Sequence, residues 1–344
     1  MSLQTYIEAA PKAELHVHLE GSILPATLLT LARRNDVPLP VDTVEGLRKW
    51  FTFRDFPHFV DIYVAITRCL KTAQDYELIA YEFGAEMARQ NVRYAEATFT
   101  PGTHHHLGVP FDVYFAGLTK GRERAQAEFG VQIRWIFDIV RESQDSAHPE
   151  YTLSAAIAGM QDGVVALGLG GSEAAYPPDR FAPWFERARA AGLHSIPHAG
   201  ELGGPAGIWA AIRLLGAERI GHGVHAIEDP ELVDYLREYR IPLEVCPTSN
   251  ICLGIYPDYS AHPFRRLHDA GVPVIINSDD PPLFNTTLNK EAALLAAPFD
   301  FNVETIDDIL LNGVRYSCLP AGRKAAMLAA LESELQSLKE VHLA

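Results

Sequence analysis

The chain has 344 residues, of which 48% are hydrophobic and 21% are charged, so it can build a sizeable core without disulfide bonds. Its formal net charge is -15, from 44 acidic and 29 basic residues, which makes phosphate backbones and anionic membranes poor partners and suits a small uncharged substrate. No apolar run approaches membrane-spanning length, and residues 1–11 lack the regions of a signal peptide. We therefore expect a cytoplasmic protein that binds neither nucleic acid nor membrane.

Short apolar runs alternate with helical segments along the chain. Eight such runs end in polar or glycine residues and are predicted strands, with bounds 13–19, 92–99, 131–140, 164–169, 193–197, 219–221, 241–246 and 272–276. The helical segments between them are 110–129, 178–192, 205–215, 230–239 and 263–270, several of which open with proline. This alternation predicts parallel pairing, and eight strands predict closure into a (β/α)8 TIM barrel. An open doubly wound sheet is the alternative.

Two regions fall outside the regular alternation. The gap 21–91 is too long for one crossover, and we expect an insertion after strand 1 with several helices, including 56–70 and 75–90. Residues 303–343 predict further helices at the C-terminus. Because no Pro-, Gly- or Ser-rich linker interrupts the chain, we expect one domain over residues 1–344.

The cysteines are sparse for a chain of this size. They are Cys69, Cys246, Cys252 and Cys318, without a C-x-x-C pair. This spacing is typical of free thiols in a reducing compartment. We expect Cys246 and Cys252, which flank one loop, to lie in or near the core rather than on a metal.

Polar side chains collect at the carboxyl ends of four predicted strands, where the active site of an α/β barrel lies. They are His16 and His18, His198 and Glu201, His222, and Asp279 and Asp280. A chance distribution would scatter them over both ends of the barrel. These strand ends therefore predict one site on the rim.

The pair His16 and His18 favours a metal over two satisfied core histidines. Residues two apart on a strand point to the same face, so both rings can reach the barrel interior. With His198 and Asp279 they would complete a mononuclear zinc site of three nitrogens and one oxygen, leaving one position for water. Zinc lowers the pKa of such a water toward neutrality. Iron or manganese are the other metals that this set of ligands accepts.

Other polar residues near these strand ends have several interpretations. Glu201 stands where a proton carrier is needed, although an acid at a helix start is the structural alternative. His222 lies between two glycines that allow close approach of a bound group. Of the adjacent acids, one can bind metal while Asp280 points elsewhere. The run 104–106 of three histidines predicts a surface loop, with substrate contact open and metal binding not expected.

Five segments resemble the adenosine and adenine deaminase family of zinc amidohydrolases. They are PKAELHVHLEG at 11–21, HAGE at 198–201, RIGHG at 219–223, VCPTSN at 245–250 and SDDP at 278–281, in the family's order. The resemblance covers nearly the whole chain and is specific because five blocks occur together. It implies a TIM barrel that converts a 6-amino purine into the 6-oxo purine and ammonia with one zinc per chain.

The resemblance also implies roles for individual residues. The zinc ligands would be His16, His18, His198 and Asp279. Glu201 would protonate ring N1 during attack on C6, while His222 would orient the water and stabilise its charge. Asp280 would share a hydrogen bond with N7 or help hold the nucleophile. The substrate contacts implied are His18, Glu20, Gly171 and Asp280.

Departures from the family pattern bear on the substrate. Glu20 stands where typical adenosine deaminases carry an Asp that contacts the ribose, and a Glu there also occurs in adenine deaminases. Gly168 and Ser172 replace two acids of the usual fourth-strand motif, whereas 280–288 resembles the nucleoside-type members. Adenosine is therefore the first expectation, with adenine or 6-aminodeoxyfutalosine as alternatives. The sequence leaves the oligomeric state open.

Two rival readings belong to other mechanisms. A binuclear amidohydrolase would usually carry a bridging lysine at the end of the fourth strand, and 167–171 contains none. A catalytically inactive barrel that only binds a ligand is the alternative outside enzymes. The complete set of polar residues argues against it, because an inactive relative is expected to lack at least one of them.

Overall fold

The computed structural model describes residues 2–142 and 147–343, and its centre is a parallel barrel. Eight strands lie in sequence order, each parallel to the next. They are β1 Lys12–His18, β2 Val92–Phe99, β3 Gln132–Val140, β4 Val164–Gly170, β5 His194–Ala199, β6 Ile220–His222, β7 Leu243–Val245 and β8 Val274–Ile276. Val17 forms a parallel bridge with Asp279, which brings the segment after β8 onto β1. The predicted (β/α)8 barrel is confirmed, and the open sheet is wrong.

The strand bounds differ from the predicted ones by at most two residues at either end. β5 was expected to stop at 197 and β6 at 221, but the ladder continues through His198 and His222. Polar residues looked like the ends of strands because the interior of a barrel is usually apolar. Here the polar side chains face the interior and the backbone remains paired.

Helices surround the barrel, and helices also form the insertion after β1 and the C-terminal region, as expected. The α-helices among the described residues are α1 Leu3–Ala9, α2 Pro25–Arg34, α3 Val44–Trp50, α4 Phe56–Thr67, α5 Ala73–Arg89, α6 Pro101–His106, α7 Phe111–Phe129, α8 Ala147–Gly159, α9 Ala182–Ala191, α10 Pro205–Ala210, α11 Pro230–Glu238, α12 Pro247–Cys252, α13 Phe264–Asp269, α14 Leu288–Ala296, α15 Val303–Arg315 and α16 Ala321–His342. A π-helical turn, Ala211–Leu215, extends α10. The insertion after β1 holds α2 to α5, as expected, and α15 and α16 form the C-terminal addition. Across the described ranges, no helix has both the length and the apolar character needed to cross a membrane.

The thiols follow the expectation with one exception. All four cysteines are free, and Cys69 and Cys246 are buried. Cys318 is partly exposed. Cys252 was expected in or near the core but is exposed, because it is the last residue of α12.

The barrel interior has an apolar and a polar side, with Asp138 on β3 as a buried acid among the apolar strands. Ile136, Ala166 and Ile196, from β3, β4 and β5, form a small apolar cluster of their own. The strands on the other side contribute buried charged residues, which are Glu14, His16, Glu96, Arg219 and Glu244. Buried charges require partners, so this polar side has to be a connected network. It lies beneath the rim where the candidate site residues meet.

Helices α5 and α7 anchor the insertion to the barrel through close backbone contact. A Cβ atom at Gly121 would lie 2.4 Å from the carbonyl oxygen of Glu77. A Cβ atom at Gly117 would lie 2.3 Å from the carbonyl oxygen of Ala73. Both glycines are therefore required by the distance between the two helices.

We expect Gly121→Ala to lower the free energy of unfolding by about 1–3 kcal/mol, since the added methyl group forces the helices apart. The change should destabilise even though alanine favours helix more than glycine does. Gly322→Ala in α16 is the matched control, because no heavy atom lies within 4 Å of its new Cβ. That variant should change stability by less than ~0.5 kcal/mol. Denaturant unfolding of both variants measures the difference, and equal effects would contradict the close-packing argument.

Candidate metal centre and substrate cavity

Three histidines and one aspartate converge at the carboxyl end of the barrel. His18 Nε2 lies 3.3 Å from His198 Nε2. Asp279 Oδ1 lies 3.4 Å from His18 Nε2 and 3.6 Å from His16 Nε2. The four side chains predicted as metal ligands from β1, β5 and the segment after β8 are thus brought together.

Backbone geometry fixes the aspartate against β1. The amide of Asp279 donates to the carbonyl of His16 at 3.0 Å, and the amide of His18 donates to the carbonyl of Asp279 at 2.9 Å. Asp279 has a φ of 64°, in the left-handed region that non-glycine residues rarely adopt. His222 has a φ of 58° and is likewise in this region. Such conformations are typical of functional sites, where the surrounding structure imposes them.

The electrostatics of this cluster suit metal ligation. Burial and the neighbouring histidines lower the pKa of His198 well below its usual range. Burial opposes ionisation of Asp279, but His16, His222 and His18 hold its pKa well below the usual range. Burial lowers the pKa of His16, yet Asp279 and Glu244 more than offset this and raise it to about 10. Asp279 is therefore ionised and His198 neutral, as metal ligands have to be, whereas His16 has to lose a proton when it binds a metal.

An ionic chain supports His16 from below. Its Nδ1 lies 2.9 Å from Glu244 Oε2. Arg219 donates from Nε to Glu244 Oε1 and from Nη2 to Glu96 Oε2. Tyr94 donates to Glu96 at 2.7 Å, which ends the chain at β2. The ring of His16 is thus oriented with Nε2 toward Asp279.

Two glycines, in the family-like segments 11–21 and 219–223, leave space for the side chains of the site. A Cβ atom at Gly221 would lie 2.9 Å from Cε1 of His16. A Cβ atom at Gly21 would lie 1.5 Å from Oδ1 of Asp280. Any side chain at either position would displace a candidate functional group, which explains why glycine is needed there.

Four further polar residues form a chain that begins beside the metal-ligand cluster. His222 Nε2 lies 3.7 Å from Glu201 Oε1 and 3.9 Å from Asp279 Oδ2. Asn250 Nδ2 lies 3.3 Å from His222 Nδ1, and its Oδ1 lies 3.0 Å from His262 Nε2. With Asn250 donating to Nδ1, the proton of a neutral His222 is on Nε2, the atom that faces Glu201.

Glu201 and Asp280 are both buried and are both pushed toward their neutral forms. Burial, Asp279 and Glu173 raise the pKa of Glu201 well above its usual range. Burial and Asp279 do the same for Asp280. Oδ1 of Asp280 is buried without a hydrogen-bond partner among the described residues. These acids can therefore hold protons beside an ionised neighbour.

The turn that carries Glu201 is held by Glu173, for which the sequence predicted no role. The carboxylate of Glu173 accepts hydrogen bonds from the amides of Gly200, Glu201 and Leu202 at 2.7, 2.8 and 3.0 Å. Arg141 donates to the carbonyl of His198 at 2.7 Å. Glu173 and Arg141 both follow predicted strands, but so do several unrelated polar residues, so position alone gave no signal. Glu244 and Glu96 had one signal, an acid inside an apolar strand run.

A cavity opens beside these residues at the rim of the barrel. Its lining includes His18, His198, Glu201, His222, Asp279 and Asp280 from the site already described. The remaining lining residues are Phe56, Phe59, Val60, Tyr63, Val64, Thr100, Thr103, Asp138, Val140, Glu142, Gly170, Gly171 and Leu253. Gly171, predicted as a substrate contact, thus lines the cavity together with His18 and Asp280.

Glu20 lies beneath the cavity and is fully buried. Its Oε1 accepts from the amide and hydroxyl of Thr100 and lies 3.0 Å from His104 Nε2. Its Oε2 accepts from the Tyr63 hydroxyl at 3.2 Å. The carboxylate is therefore occupied by protein groups. Its place in the sequence predicted a direct substrate contact, and the structure brings it instead to Tyr63, which lines the cavity.

The three consecutive histidines do not form a surface loop. They lie in α6, and His104 is fully buried against Phe99 and Glu20. His104 Nδ1 also lies 2.8 Å from the Tyr76 hydroxyl. The expectation was wrong for His104 because proline at position 101 starts a helix that turns one of the three rings inward. His105 and His106 are exposed, as expected.

Comparison with known proteins agrees with this geometry. A family model described as adenosine deaminase matches residues 11–334. The chain belongs to the adenosine deaminase family. An aminodeoxyfutalosine deaminase from Streptomyces coelicolor is 44% identical over 333 residues, covering 96% of this chain and 86% of the relative.

Solved structures of this family resemble the barrel over nearly its whole length. An adenine deaminase from Arthrobacter aurescens has a TM-score of 0.90 at 31% identity, covering 95% of this chain and all of the other. An amidohydrolase from Burkholderia ambifaria with bound zinc has a TM-score of 0.91 at 29% identity, covering 98% and 94%. The chain is therefore an aminohydrolase of the adenosine deaminase type, and its reaction is the hydrolytic deamination of an adenine-type ring.

The residues present fit the zinc that this family implies. The Nε2 atom of His16 is buried without a hydrogen-bond partner among the described residues, although Asp279 is near. Two imidazole nitrogens, on His18 and His198, face each other at 3.3 Å beside that carboxylate. Three imidazoles and one carboxylate are a donor set that zinc accepts. The cluster can therefore hold a metal ion.

We expect Glu244→Gln to weaken zinc binding by about 10- to 100-fold, because the neutral amide no longer fixes and polarises His16. Glu218→Gln is the matched control, since Glu218 is adjacent to Arg219 in the chain, is half exposed and pairs with His194 away from the site. Zinc retained after dialysis against graded chelator measures the effect. Equal retention in the two variants would contradict a supporting role for Glu244.

Proposed function

We propose that this protein deaminates an adenine nucleoside, with 6-aminodeoxyfutalosine as the first candidate substrate and adenosine as the second. The observation that carries the proposal is the apolar wall of the cavity. Helix α4 contributes Phe56, Phe59, Val60, Tyr63 and Val64 to the same cavity as the metal-ligand cluster. Free adenine is small and would leave much of this wall uncovered, whereas a group on N9 would bury it.

The wall begins close to the reacting centre. The ring centroid of Tyr63 is 6.2 Å from that of His18. Phe59 stacks on Phe284 with centroids 5.5 Å apart, which connects the wall to the segment after β8. A purine held against the metal-ligand cluster would therefore have its N9 substituent within reach of these aromatic side chains. The Streptomyces relative, named for a modified nucleoside, supports the same substrate class.

The occupied carboxylate of Glu20 supports a larger substituent than that of adenosine. Its Oε1 contacts Thr100 and His104, its Oε2 accepts from the Tyr63 hydroxyl, and Glu20 is not among the described residues that line the cavity. Tyr63, rather than Glu20, is then the group presented to the substrate.

The chain's residues divide the chemistry among themselves. His16, His18, His198 and Asp279 would hold zinc, which supplies a water of lowered pKa as the nucleophile. Glu201 holds a proton in its raised-pKa form and delivers it to N1 as the new C6–O bond forms. His222 orients the attacking water through Nε2. Asp280 binds N7, and the backbone of Gly171 contacts the edge of the purine.

The two protons of the attacking water are both accounted for in the products. After Glu201 has given its proton to N1, the ionised carboxylate takes up one proton of the water that adds to C6, which restores its starting form. The second proton of that water is passed to the exocyclic nitrogen. The C6–N bond breaks and ammonia leaves, so that the 6-oxo purine remains. Glu201 is 6% exposed, so bulk water has little access to its carboxyl group during these transfers.

We expect Glu201→Gln to reduce kcat by about 100- to 10,000-fold while zinc content stays at the level of the unaltered protein. The amide keeps the shape of the side chain but has no proton to give to N1. Ultraviolet absorbance of the amino-purine band gives the rate, and metal analysis gives the zinc. Full activity in this variant would contradict the role of Glu201 as the acid. A barrel that only binds its ligand would show no turnover even in the unaltered protein.

A substrate panel separates the three substrate candidates. We expect 6-aminodeoxyfutalosine and adenosine to be deaminated with higher kcat/KM than adenine. Phe59→Ala should lower kcat/KM for the preferred nucleoside by about tenfold or more, because burial of a large apolar side chain contributes about 1.5–3 kcal/mol. The same variant should leave adenine turnover nearly unchanged, which makes adenine the internal control. Adenine as the best substrate, with nucleosides inert, would overturn the nucleoside proposal and leave the deaminase assignment in place.

A further inference from the structure

Asp138 is a buried acid in the cavity that the mechanism does not use. It lies on β3, two residues after the interior residue Ile136, and lines the cavity. The residue is 2% exposed, and Oδ1 is buried without a hydrogen-bond partner in the part of the chain that the structure describes. An unpaired buried oxygen costs free energy, so it needs either a structural or a functional explanation.

The neighbouring strand is shaped to receive this carboxyl group. A Cβ atom at Gly168 would lie 2.9 Å from Asp138 Cβ, and one at Gly170 would lie 2.8 Å from Asp138 Oδ2. Both glycines belong to β4, where the resemblance made the Gly168 position unusual. Their lack of side chains leaves the space that Asp138 fills.

Three buried acids inside the barrel strands, Glu14, Glu96 and Glu244, differ from Asp138 in having protein partners. Glu244 and Glu96 share Arg219. Glu14 accepts from the hydroxyl of Ser278 at 2.9 Å. These acids hold the barrel together, whereas Asp138 has no such partner on Oδ1, and a structural role therefore does not account for it.

The charges around Asp138 point to an uncharged ligand. Burial raises its pKa well above the usual range, and Glu20 and Glu142 add to this effect while His16 opposes it. None of the described residues that line the cavity is Lys or Arg. A neutral hydrogen-bond donor can satisfy the carboxyl oxygen here without the cost of burying a second ion.

The place of Asp138 relative to the purine follows from its neighbours. It packs against Gly170, which precedes the proposed purine contact Gly171, while Glu201 and Asp280 are assigned to N1 and N7. The remaining edge of the ring carries N3 and N9. We propose that Asp138 is a substrate-binding residue that accepts a hydrogen bond from a donor on the N9 side, either a sugar hydroxyl or the N9–H of a free base. This inference rests on the proposed orientation of the substrate in the deaminase site.

The test compares substrates that carry or lack this donor. Asp138→Ala and Asp138→Asn would be assayed with adenosine, 2′-deoxyadenosine, adenine and 9-methyladenine, which has neither a sugar hydroxyl nor an N9–H. Any compound turned over too slowly would be measured as a competitive inhibitor. We expect Asp138→Ala to lower kcat/KM about tenfold or more for a donor-bearing substrate relative to 9-methyladenine, and Asp138→Asn to retain part of it. Asp234→Ala, a change of an exposed acid on α11, is the control for substitution itself.

The pattern of losses identifies the donor. A loss with adenosine that is absent with 2′-deoxyadenosine assigns the 2′-hydroxyl, a loss with both assigns another sugar hydroxyl, and a loss with adenine assigns N9–H. Equal losses on all four substrates, or none, at unchanged zinc content would overturn the role of Asp138. Failure of the nucleoside proposal can be distinguished from failure of the role of Asp138. In the first case the unaltered protein would deaminate adenine alone, and the comparison of adenine with 9-methyladenine would still test Asp138.

Discussion

The buried ion pairs of Arg219 are the constraint on which the rest of the barrel depends. This side chain is 3% exposed and lies between Glu96 and Glu244, so one cation compensates two buried carboxylates. Removing one partner of such a network leaves a charge without compensation and costs about 3–5 kcal/mol. Because Glu244 also binds His16, the same network that makes a polar barrel interior tolerable orients the first residue of the metal-ligand cluster.

Asp279 has a comparable role at the rim. It is the ionised group that three histidines surround, and its charge is also what pushes Glu201 and Asp280 toward their protonated forms. One carboxylate can therefore serve the metal and prepare the proposed acid at once, since like charges nearby disfavour a second ionisation. The left-handed backbone at Asp279 fits this dual position, because its amide and carbonyl are both hydrogen-bonded to β1.

The sequence predicted the position of a residue where a local rule applied. It did not predict a residue's role where that role depends on contacts with distant segments. Alternation along β1 placed His16 and His18 on one face, and strand ends in a barrel share a rim, so the metal-ligand cluster could be predicted from position alone. The role of Glu173 depends on three amides that lie some 28 residues further along the chain, and no local pattern carries that information. His104 and Asp138 were missed for the same reason, because they contact Glu20, which follows β1, and Gly168, which belongs to β4.

The contacts of Glu20 with distant segments explain what its departure from the family's usual Asp does in this structure. An Asp at that position is one methylene shorter, whereas Glu20 extends to Thr100 and His104 and still accepts from Tyr63 on α4. Each such bond contributes about 1 kcal/mol, and those to a charged group contribute more. The carboxylate thereby ties the helix that forms the apolar wall to the strand that presents His18, two residues away. The position that the resemblance implied to contact sugar therefore supports the wall here, through Tyr63 on α4, which lines the cavity.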